Sequence, residues 1–454
     1  MAKSRPLNMR IGMLRVRADR GAQRPCLQGI RLPRHEQLHR QPALGSPRQP
    51  PARRAILVAG LGAIATFLTG GMPRAQMPGL SFAQWVERFR PRARARGISE
   101  ATYAKVMGSI RPDTSVYALH RSQPEFQEPM WQYINRRVSD WRIITGKKRA
   151  LEHAALIARI EKQYGVDRYL MLGLWGMESA FGDLVVNRKH MRPVLPALAA
   201  LAWGEPRRRA YWEQELLNAL VIIDRGWADD KEMIGSWAGA MGHTQWMPEV
   251  WLHMGVDANG DGKISPFGAP DDAFAGTAQF LLKRGHYQRN EGWGYEVRLP
   301  AKARTAATLS IAAWQKLGVT RANGQSFPRA GEQARIWQPV PDGPVFLITQ
   351  NFRAVRSYNA ADSYTLATVH LADRIRGEGA FVQQFPGSER ILTLAEVQEL
   401  QRLLLAKGFA TGGADGRIGP ETVVAVRAFQ VKVGMKPADG YAGLKVLARL
   451  RQGT

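Results

Sequence analysis

The segment 168–178 constrains the fold most, because almost every residue in it is apolar. Gly165 is typical of the end of a preceding helix and Asp167 is typical of an N-cap, so the pattern predicts a new helix over 168–178. A helix that is apolar nearly all round belongs in the core of a larger helical domain. Its last residue is nevertheless a carboxylic acid, Glu178, which the helix would carry into that core.

The rest of the chain beyond residue 76 also shows mostly helical periodicity, which predicts a mainly α fold. Ser81 is a candidate cap for a helix over 82–89. Further helices are predicted over 149–164, 211–225 and 273–284. Residues 292–349 contain more Pro and Gly and some alternation of polar and apolar side chains, which favours a small β or mixed insert.

The C-terminal part reads as a separate small unit, 392–454, joined by a linker over 381–391. Helices are predicted in it over 394–407, 421–433 and 444–451. The sequences Asp415-Gly416-x-x-Gly419 and Asp439-Gly440-x-x-Gly443 recur 24 positions apart. This spacing predicts a small internal repeat in which a turn is followed by a helix.

The N-terminal residues 1–75 are interpreted as a basic tail with a signal segment, whose apolar core is 55–70. Arg53-Arg54 stands before this uncharged run, which is the layout of a secretory signal and is also compatible with twin-arginine export. The run is shorter than the ~20 residues of a comfortable membrane span, although an uncleaved anchor is the alternative. No cysteine follows it, so no lipid anchor is predicted. We expect an exported, periplasmic protein.

The formal charge of the chain is +26, of which residues 1–54 carry +11. The remainder is still basic, which suggests an anionic partner such as nucleic acid, lipid or a cell-wall polymer. No groove-reading motif is recognised, so we do not expect nucleic-acid binding. The sole cysteine, Cys26, lies in the tail and is uninformative about the compartment.

Glu178 is the candidate for acid–base chemistry. A carboxyl among Trp175, Met177 and Phe181 loses hydration, which disfavours its charged form. Such a group can donate a proton to a glycosidic oxygen. The alternative is a buried glutamate that serves only as a structural hydrogen-bond partner.

A second segment, 236–248, is rich in glycine, which lets the backbone approach a ligand or another chain closely. Gln245 offers both a donor and an acceptor, which suits sugar hydroxyl and acetamido groups. The alternative is a tight turn between helices that binds no ligand.

The two segments together resemble the lytic murein transglycosylase B family. The resemblance rests on GLWGMESAFG at 173–182, AGAMGHTQWMP at 238–248, Trp131-Gln132-Tyr133 and the residues 358–364, and it spans about 80–378. It implies a goose-lysozyme-like helical catalytic domain over 76–380.

The resemblance also implies roles. Glu178 would cleave the β-1,4 bond between N-acetylmuramic acid and N-acetylglucosamine, first as acid and then as base on the muramic 6-hydroxyl, leaving 1,6-anhydro ends. The positions that match the family's substrate cleft are Tyr133, Ser236, Gln245, Tyr358, Asn359 and Tyr364. Each of these could instead be a polar residue bonded to backbone. A hydrolytic muramidase and a non-catalytic peptidoglycan-binding protein remain alternatives. The chain departs from the family at His243-Thr244 and Trp246, which leaves subsite preferences open.

The loop 257–263 resembles an EF-hand calcium loop. Asp257, Asn259 and Asp261 stand at loop positions one, three and five, and Lys263 could offer its carbonyl at position seven. The usual glutamate at position twelve is absent, and Asp272 (or Asp271) could close the shell. We therefore consider a structural calcium, with a turn rich in Asp and Asn as the alternative. No cofactor is expected for the chemistry, and no zinc-ligand spacing is seen.

The C-terminal repeat resembles a peptidoglycan-binding domain of three helices. The expected partners of the whole chain are peptidoglycan glycan strands and other cell-wall enzymes. The chain is expected to be a monomer.

Overall fold

The computed structural model describes residues 80–121, 128–189 and 191–452, which belong to one compact unit. The N-terminal tail, the signal segment and Cys26 lie outside the described residues. Within the described ranges, no helix has the length and apolar character needed to cross a membrane.

The described part is mainly helical, as predicted. The helices are Phe82–Ala95 (α1), Glu100–Met107 (α2), Val116–Arg121 (α3), Met130–Arg137 (α4), Asp140–Glu152 (α5), Ala154–Tyr164 (α6), Arg168–Ser179 (α7), Asp183–Val186 (α8), Val194–Gly204 (α9), Arg209–Asp224 (α10), Pro248–Met254 (α11), Asp271–Lys283 (α12), Ile311–Lys316 (α13), Gln350–Tyr358 (α14), Asp362–Arg376 (α15), Leu394–Ala406 (α16), Pro420–Lys432 (α17) and Leu444–Arg451 (α18). Two short 3₁₀ helices, Pro206–Arg208 and Ala301–Ala303, complete the helical part.

The predicted cap of α7 is confirmed. The Asp167 carboxylate accepts hydrogen bonds from the backbone amides of Tyr169 (2.8 Å) and Leu170 (2.9 Å). Gly165, with φ of 66°, ends α6 as predicted. These two residues fix where the apolar helix begins and, through its length, where Glu178 lies.

Helix α7 packs closely along α15 at the centre of one hydrophobic core. Glycine permits this approach, because a Cβ on Gly173 would lie 2.7 Å from the carbonyl oxygen of Thr368 in α15. A second core surrounds α9 and α10, whose inner faces are wholly buried. The segment 236–248 connects the two cores, since Trp246 is buried in the second and its indole donates to Thr277 of α12 (3.1 Å).

The helix predicted over 149–164 is wrong as a single element. The chain breaks at His153, whose φ of −111° and ψ of 22° separate α5 from α6. Leu151, just before this break, is 80% exposed, whereas Ile157 and Ile160 of α6 are buried. The His153 ring instead packs edge-on against Trp175 at 5.2 Å, a tertiary contact that local periodicity does not encode.

The predicted β or mixed insert is confirmed as a five-stranded antiparallel sheet. Its strands are Gly294–Arg298 (β3), Thr308–Ser310 (β4), Thr320–Arg321 (β5), Gln333–Trp337 (β6) and Phe346–Ile348 (β7). They lie side by side in the order β4-β6-β7-β3-β5. A separate two-stranded pair joins Arg192–Pro193 (β1) to Ile234–Gly235 (β2). In β3 the side chains of Tyr295 and Val297 point into a small core of the insert, which is the expected alternation of a strand with one covered face.

The C-terminal helices α16, α17 and α18 enclose their own core, and the predicted repeat is visible in its turns. Gln401 accepts from the Gly416 amide (2.8 Å), and Gln430 accepts from the Gly440 amide (2.7 Å). Each glutamine also donates to the aspartate of its own turn. A helix glutamine thus holds each Asp-Gly turn in the same way.

This C-terminal module packs against the helical domain. Gln132 of α4 donates to Asp439 (2.9 Å), and the Asp140 carboxylate accepts from the Leu394 amide (2.9 Å). Arg417 forms an ion pair with Asp183 (2.7 Å). The predicted linker therefore leads into a docked module.

Candidate active site

Glu178 lies on the last turn of α7, directly before an unusual reversal of the backbone. Ala180, Phe181 and Gly182 all have left-handed φ angles, of 52°, 61° and 86°. Such conformations are costly for residues with a Cβ and persist only where the surroundings enforce them. At Gly182 a Cβ would lie 3.0 Å from the His243 ring, so close packing also demands glycine. The turn ends the helix sharply and leaves Glu178 half-buried.

Buried hydrogen bonds tie this turn to the segment 236–248. The Ser179 hydroxyl donates to the carbonyl oxygen of His243 (2.6 Å) and accepts from the Gly182 amide (3.0 Å). The Trp175 indole donates to Nδ1 of His243 (3.1 Å), so Nε2 carries the proton toward the carbonyl of Gly268 (2.8 Å). Burial lowers the pKa of His243, which favours this neutral form. We call these contacts of Trp175, Ser179, Gly182 and His243 the floor latch.

Tyr364, on the first turn of α15, donates a hydrogen bond from its hydroxyl to Oε1 of Glu178. Tyr364 is almost fully buried, and burial followed by the nearby charge of Glu178 raises its pKa well above the ordinary value. The hydroxyl therefore keeps its proton at neutral pH and remains a donor. Its hydrogen bond fixes the orientation of the Glu178 carboxyl.

Tyr358 and Tyr133, which are also predicted substrate residues, lie close to Tyr364 and Glu178. Tyr358 donates to the carbonyl oxygen of Thr244 (2.5 Å), and burial and the charge of Glu178 raise its pKa. Tyr133 is buried and lies near enough to Tyr364 to affect its titration. The structure thus brings Glu178, Tyr133, Tyr358 and Tyr364 together from three distant parts of the chain.

The other three predicted substrate residues hold local turns. The Ser236 hydroxyl accepts from the Ala240 amide (3.1 Å), and Gln245 donates to the Gly242 carbonyl (3.0 Å) from a left-handed φ of 51°. Asn359 is exposed, and its side-chain oxygen accepts from the Ala361 amide (3.1 Å) between α14 and α15. Their contact with substrate stays a prediction.

Asp183 is the acid nearest to Glu178 along the chain on the C-terminal side. It is half-buried, and it pairs with Arg417 of the C-terminal module, whose guanidinium also lies over the Trp141 ring at 4.5 Å. This placement gives Asp183 a role in docking the module.

The residues of the predicted calcium loop form a compact turn. Asp257 accepts from the amides of Gly260 (2.7 Å) and Gly262 (2.9 Å), and Asp261 accepts from the Lys263 amide (2.8 Å). Asn259 accepts from the Asp261 amide (3.0 Å).

Asp272, which was considered as a further ligand, lies beside the loop, and its contact with calcium stays a prediction. Its two carboxylate oxygens accept from the amides of Ala258 (2.8 Å) and Ser265 (2.9 Å), so it braces both ends of the loop. Asp271, the other residue considered, pairs with Arg159 (2.5 Å). The described residues contain no group of three or more His, Cys, Asp or Glu side chains suited to a metal ion. The loop therefore fits calcium only in part, through the oxygen donors at positions one, three and five.

The floor latch is not predictable from the sequence. His243 stands out only as a departure from the family, and no local pattern marks Ser179. Each depends on a contact between segments more than 60 residues apart, and no local pattern signals such a pairing.

Two parts of the chain match known protein families. Residues 81–373 match the family described as "Transglycosylase SLT domain", and residues 393–450 match "Putative peptidoglycan binding domain". The chain is similar to SltB3 from Pseudomonas aeruginosa, solved in complex with NAG-anhNAM-pentapeptide, at 39% identity and a TM-score of 0.63, over 82% of this chain and 100% of that one.

More distant relatives share the helical domain. The chain is 24% identical to "Membrane-bound lytic murein transglycosylase B" of Escherichia coli over 60% of this chain and 73% of that protein. It also resembles the Escherichia coli lytic transglycosylase Slt35 in complex with calcium, at 22% identity and a TM-score of 0.52, over 64% of this chain and 92% of that one. The latter likeness shows the fold alone.

Proposed function

Because the chain belongs to the transglycosylase SLT domain family, we propose that it cleaves the β-1,4 bond between N-acetylmuramic acid and N-acetylglucosamine in peptidoglycan, leaving 1,6-anhydromuramic ends. The observation that carries the proposal is the position of Glu178, half-buried at the end of α7 and oriented by the Tyr364 hydroxyl. The proposed reaction needs a single carboxyl group, and the hydrogen bond from Tyr364 fixes how that carboxyl is oriented.

The chemistry requires Glu178 to act twice. Its proton passes to the glycosidic oxygen as the bond from that oxygen to the muramic C1 breaks. The muramic 6-hydroxyl then forms a bond to C1, and its proton passes to the Glu178 carboxylate, which restores the acid. The attacking hydroxyl belongs to the substrate itself, so neither a water molecule nor a second carboxylate is needed to activate the nucleophile.

The surrounding residues would maintain this geometry. Tyr364 orients the carboxyl, and the floor latch holds the turn that follows it. Tyr358 and Tyr133 lie beside the pair, where they would contact the sugars. Gln245 and Ser236 would act through the backbone turns that they hold.

The test compares Glu178→Gln with a matched control, Asp183→Asn, on purified peptidoglycan. We expect Glu178→Gln to lower product formation by at least about a thousandfold while the protein still binds the wall. The control should stay within a few-fold of the wild type. Mass spectrometry should find ends that weigh one water less than reducing ends.

Three results would contradict the proposal. Reducing ends in place of anhydro ends would indicate a hydrolytic muramidase. Unchanged product formation by Glu178→Gln would remove the role of this residue, and no product from any variant would favour a non-catalytic binding protein.

For the C-terminal module we propose a role in holding the enzyme on glycan strands, because residues 393–450 match the family described as "Putative peptidoglycan binding domain". We also propose export to the periplasm, which the basic and apolar N-terminal segment supports. N-terminal sequencing of the mature protein should find a start after the apolar run. A start at Met1 would contradict export by a cleaved signal.

For the loop 257–263 we propose a weak structural calcium site that does no chemistry. The oxygens of Asp257, Asn259 and Asp261 and the Lys263 carbonyl would be the donors, and the missing twelfth-position carboxylate would limit affinity. Calcium should raise the melting temperature of the wild type but not of Asp261→Asn, while magnesium should have little effect. Equal melting temperatures with calcium and with a chelator would favour a turn that binds no metal.

A further inference from the structure

The Gly176 carbonyl, two residues before Glu178, loses its helical hydrogen bond at the backbone reversal that ends α7. In a continued α-helix the amide of Ala180 would donate to this carbonyl. Instead, the amides of Ala180 and Phe181 both donate to the carbonyl of Trp175. Gly176 is buried, so its carbonyl needs a donor from elsewhere in the fold.

Arg142, on the first turn of α5, supplies that donor. Its Nε donates to the Gly176 carbonyl (3.2 Å), and its Nη1 donates to the carbonyl of Arg136 in the last turn of α4 (3.3 Å). The last carbonyls of a helix lack donors within the helix, and positive charge is favourable beside them. One guanidinium therefore caps the C-terminal ends of two helices. We call Arg142 and these two carbonyls the arginine clamp.

The two capped helices carry residues of the candidate site. Glu178 lies on α7, and Tyr133 lies on α4, with its ring under the guanidinium of Arg137 at 5.2 Å. Tyr133 is close enough to both Arg142 and Tyr364 to affect their titration. Tyr364 in turn donates its hydroxyl proton to the Glu178 carboxylate in a hydrogen bond. The arginine clamp thus joins the helix of Glu178 to the helix of Tyr133 beside the site itself.

The clamp holds a cation where the surroundings disfavour one. Burial, followed by the charges of Arg137 and Arg417, lowers the pKa of Arg142 to about 9. Among the residues that the structure describes, no carboxylate forms an ion pair with Arg142. A buried charge without a counterion is unfavourable unless hydrogen bonds compensate for the lost water. Here the compensation comes from the two carbonyls, so the guanidinium is tied to both helix ends.

Helix α5 also contacts the reversal after Glu178. A Cβ on Gly146 of α5 would lie 2.9 Å from the Phe181 ring, and a Cβ on Gly176 would lie 2.6 Å from the same ring. The Phe181 ring therefore fits between two glycines, one on each helix. Because α5 meets the end of α7 both here and through Arg142, a shift of Arg142 would reach the turn that carries Glu178.

We propose that Arg142 is a positioning residue for the reaction proposed above, on which this inference rests. By tying the ends of α4 and α7 to one rigid guanidinium, it keeps Glu178 at a fixed position relative to Tyr133. The proton of Glu178 is then delivered in one direction. Arg142 acts through these side chains and transfers no proton itself. Its effect is large because a displacement of about 1 Å at the reacting groups can cost about a hundredfold in rate.

The experiment measures kcat and KM of the full chain on soluble peptidoglycan fragments, per folded molecule, for Arg142→Ala. The matched control is Arg209→Ala, because Arg209 donates to the Trp203 carbonyl (3.4 Å) in the last turn of α9, a helix that carries no residue of the candidate site. We expect Arg142→Ala to lower kcat about thirtyfold and to change KM less than about twofold, because the clamp orients the acid group. The control should keep the kcat and KM of the wild type.

Two further measurements distinguish positioning from general support of the fold. Guanidinium, added well below the concentrations that unfold the protein, should restore part of the lost kcat of Arg142→Ala, because it can donate to both carbonyls. It should not stimulate Arg209→Ala. Arg142→Lys should lose about fivefold in kcat, because an ammonium group keeps the charge but lacks the planar fork that reaches two carbonyls.

Equal losses of kcat in Arg142→Ala and Arg209→Ala would overturn the proposal. A raised KM with unchanged kcat would overturn it too, because Arg142 would then be a substrate contact. If Arg142→Ala does not fold, Arg142→Lys decides alone, and a wild-type kcat in that variant would refute the clamp.

These outcomes are distinct from those that test the proposed function, because the kcat ratio can be measured whichever product forms. A wild type that forms reducing ends would refute the proposed product, and a thirtyfold loss in Arg142→Ala would still support the clamp. A wild type that forms anhydro ends while Arg142→Ala keeps its kcat would refute the clamp alone.

Discussion

The floor of the active site and the docking surface of the C-terminal module are held in different ways. At the floor, the Ser179 hydroxyl donates a hydrogen bond to the His243 carbonyl oxygen, and the His243 ring accepts one from the Trp175 indole. All three residues are buried, so solvent and ions do not reach these bonds. At the docking surface, Arg417–Asp183 and Lys189–Glu421 are ion pairs whose side chains remain a third or more exposed on at least one partner. Buried hydrogen bonds resist salt, whereas exposed ion pairs are weak and screened. The comparison indicates a catalytic floor held by buried hydrogen bonds, and a module whose docking depends in part on weaker, exposed ion pairs.

The same two regions differ in how their carboxyl groups titrate. In the helical domain, burial raises the pKa of Glu215 to about 7 and that of Asp373 to about 7. In the module, the hydrogen bond from Arg390 lowers the pKa of Glu396 to about 2. The helical domain should therefore lose stability as the pH rises toward 7, and the module should lose it as the pH falls below about 4.5.

The floor latch is broken most directly by Gly182→Ala. The added Cβ would meet the His243 ring at 3.0 Å and would also occupy a left-handed φ of 86°. We expect a loss of about 3 kcal/mol in the free energy of unfolding and a large fall in kcat, because the turn after Glu178 must shift. Urea unfolding and product formation would measure the two effects.

Gly226→Ala is the matched control, because its φ of 70° is also left-handed but no atom lies within 4 Å of the added Cβ. It should cost only about 1 kcal/mol and leave kcat unchanged. Equal effects at the two glycines would show that the latch contributes nothing beyond backbone strain.

The substitution Glu215→Gln tests the difference in carboxyl titration between the helical domain and the module. Folded Glu215 keeps its proton up to about pH 7, whereas the unfolded chain releases it near 4.5, so its stabilising contribution is full below 4.5 and lost by about pH 7. From pH 4.5 to 8 the free energy of unfolding of the wild type should fall by up to about 3 kcal/mol from this group. Glutamine keeps an acceptor for the Glu249 amide, so the variant should show a shallower fall, with Asp373 responsible for the remainder.

Urea unfolding over this pH range provides the measurement, and Glu87→Gln, at a fully exposed position, provides the control. Parallel pH curves for the wild type and Glu215→Gln would show that Glu215 is not kept neutral in the folded state.

The docking surface is tested by Arg417→Gln, the smallest expected effect. Loss of the Asp183 ion pair should cost about 0.5 kcal/mol and reduce the activity on insoluble peptidoglycan about twofold, while the activity on soluble fragments stays constant. Raising the salt concentration should bring the wild type to the level of the variant. If salt weakens both proteins equally, the ion pair does not hold the module.

The sequence predicts the features that depend on contacts between residues close together in the chain. It does not predict those that depend on contacts between distant segments. The start of α7 was predictable because Asp167 caps it through amides two and three residues away. The break at His153 was not, because that ring packs on Trp175 from another helix. The C-terminal repeat was visible in its two Asp-Gly turns, whereas the contact between Asp183 and Arg417 joins positions too distant for any local pattern.

The residues of the candidate site also divide into those that the sequence places correctly and those whose contacts it does not reveal. The apolar helix and the family resemblance indicated Glu178 and the three tyrosines, and the structure brings these together. Ser236 and Gln245 were expected to contact sugars, yet their side chains hold turns. A sequence position that matches a cleft does not reveal whether the side chain or the backbone beside it faces the ligand.

The central claim, that Glu178 directs an attack by the substrate's own hydroxyl, is tested most directly by digesting peptidoglycan in water enriched in ¹⁸O. The account predicts that the new muramic ends contain no ¹⁸O, and that Glu178→Gln forms no such ends. Ends that carry an ¹⁸O atom would mean that water is the nucleophile, and would contradict the account.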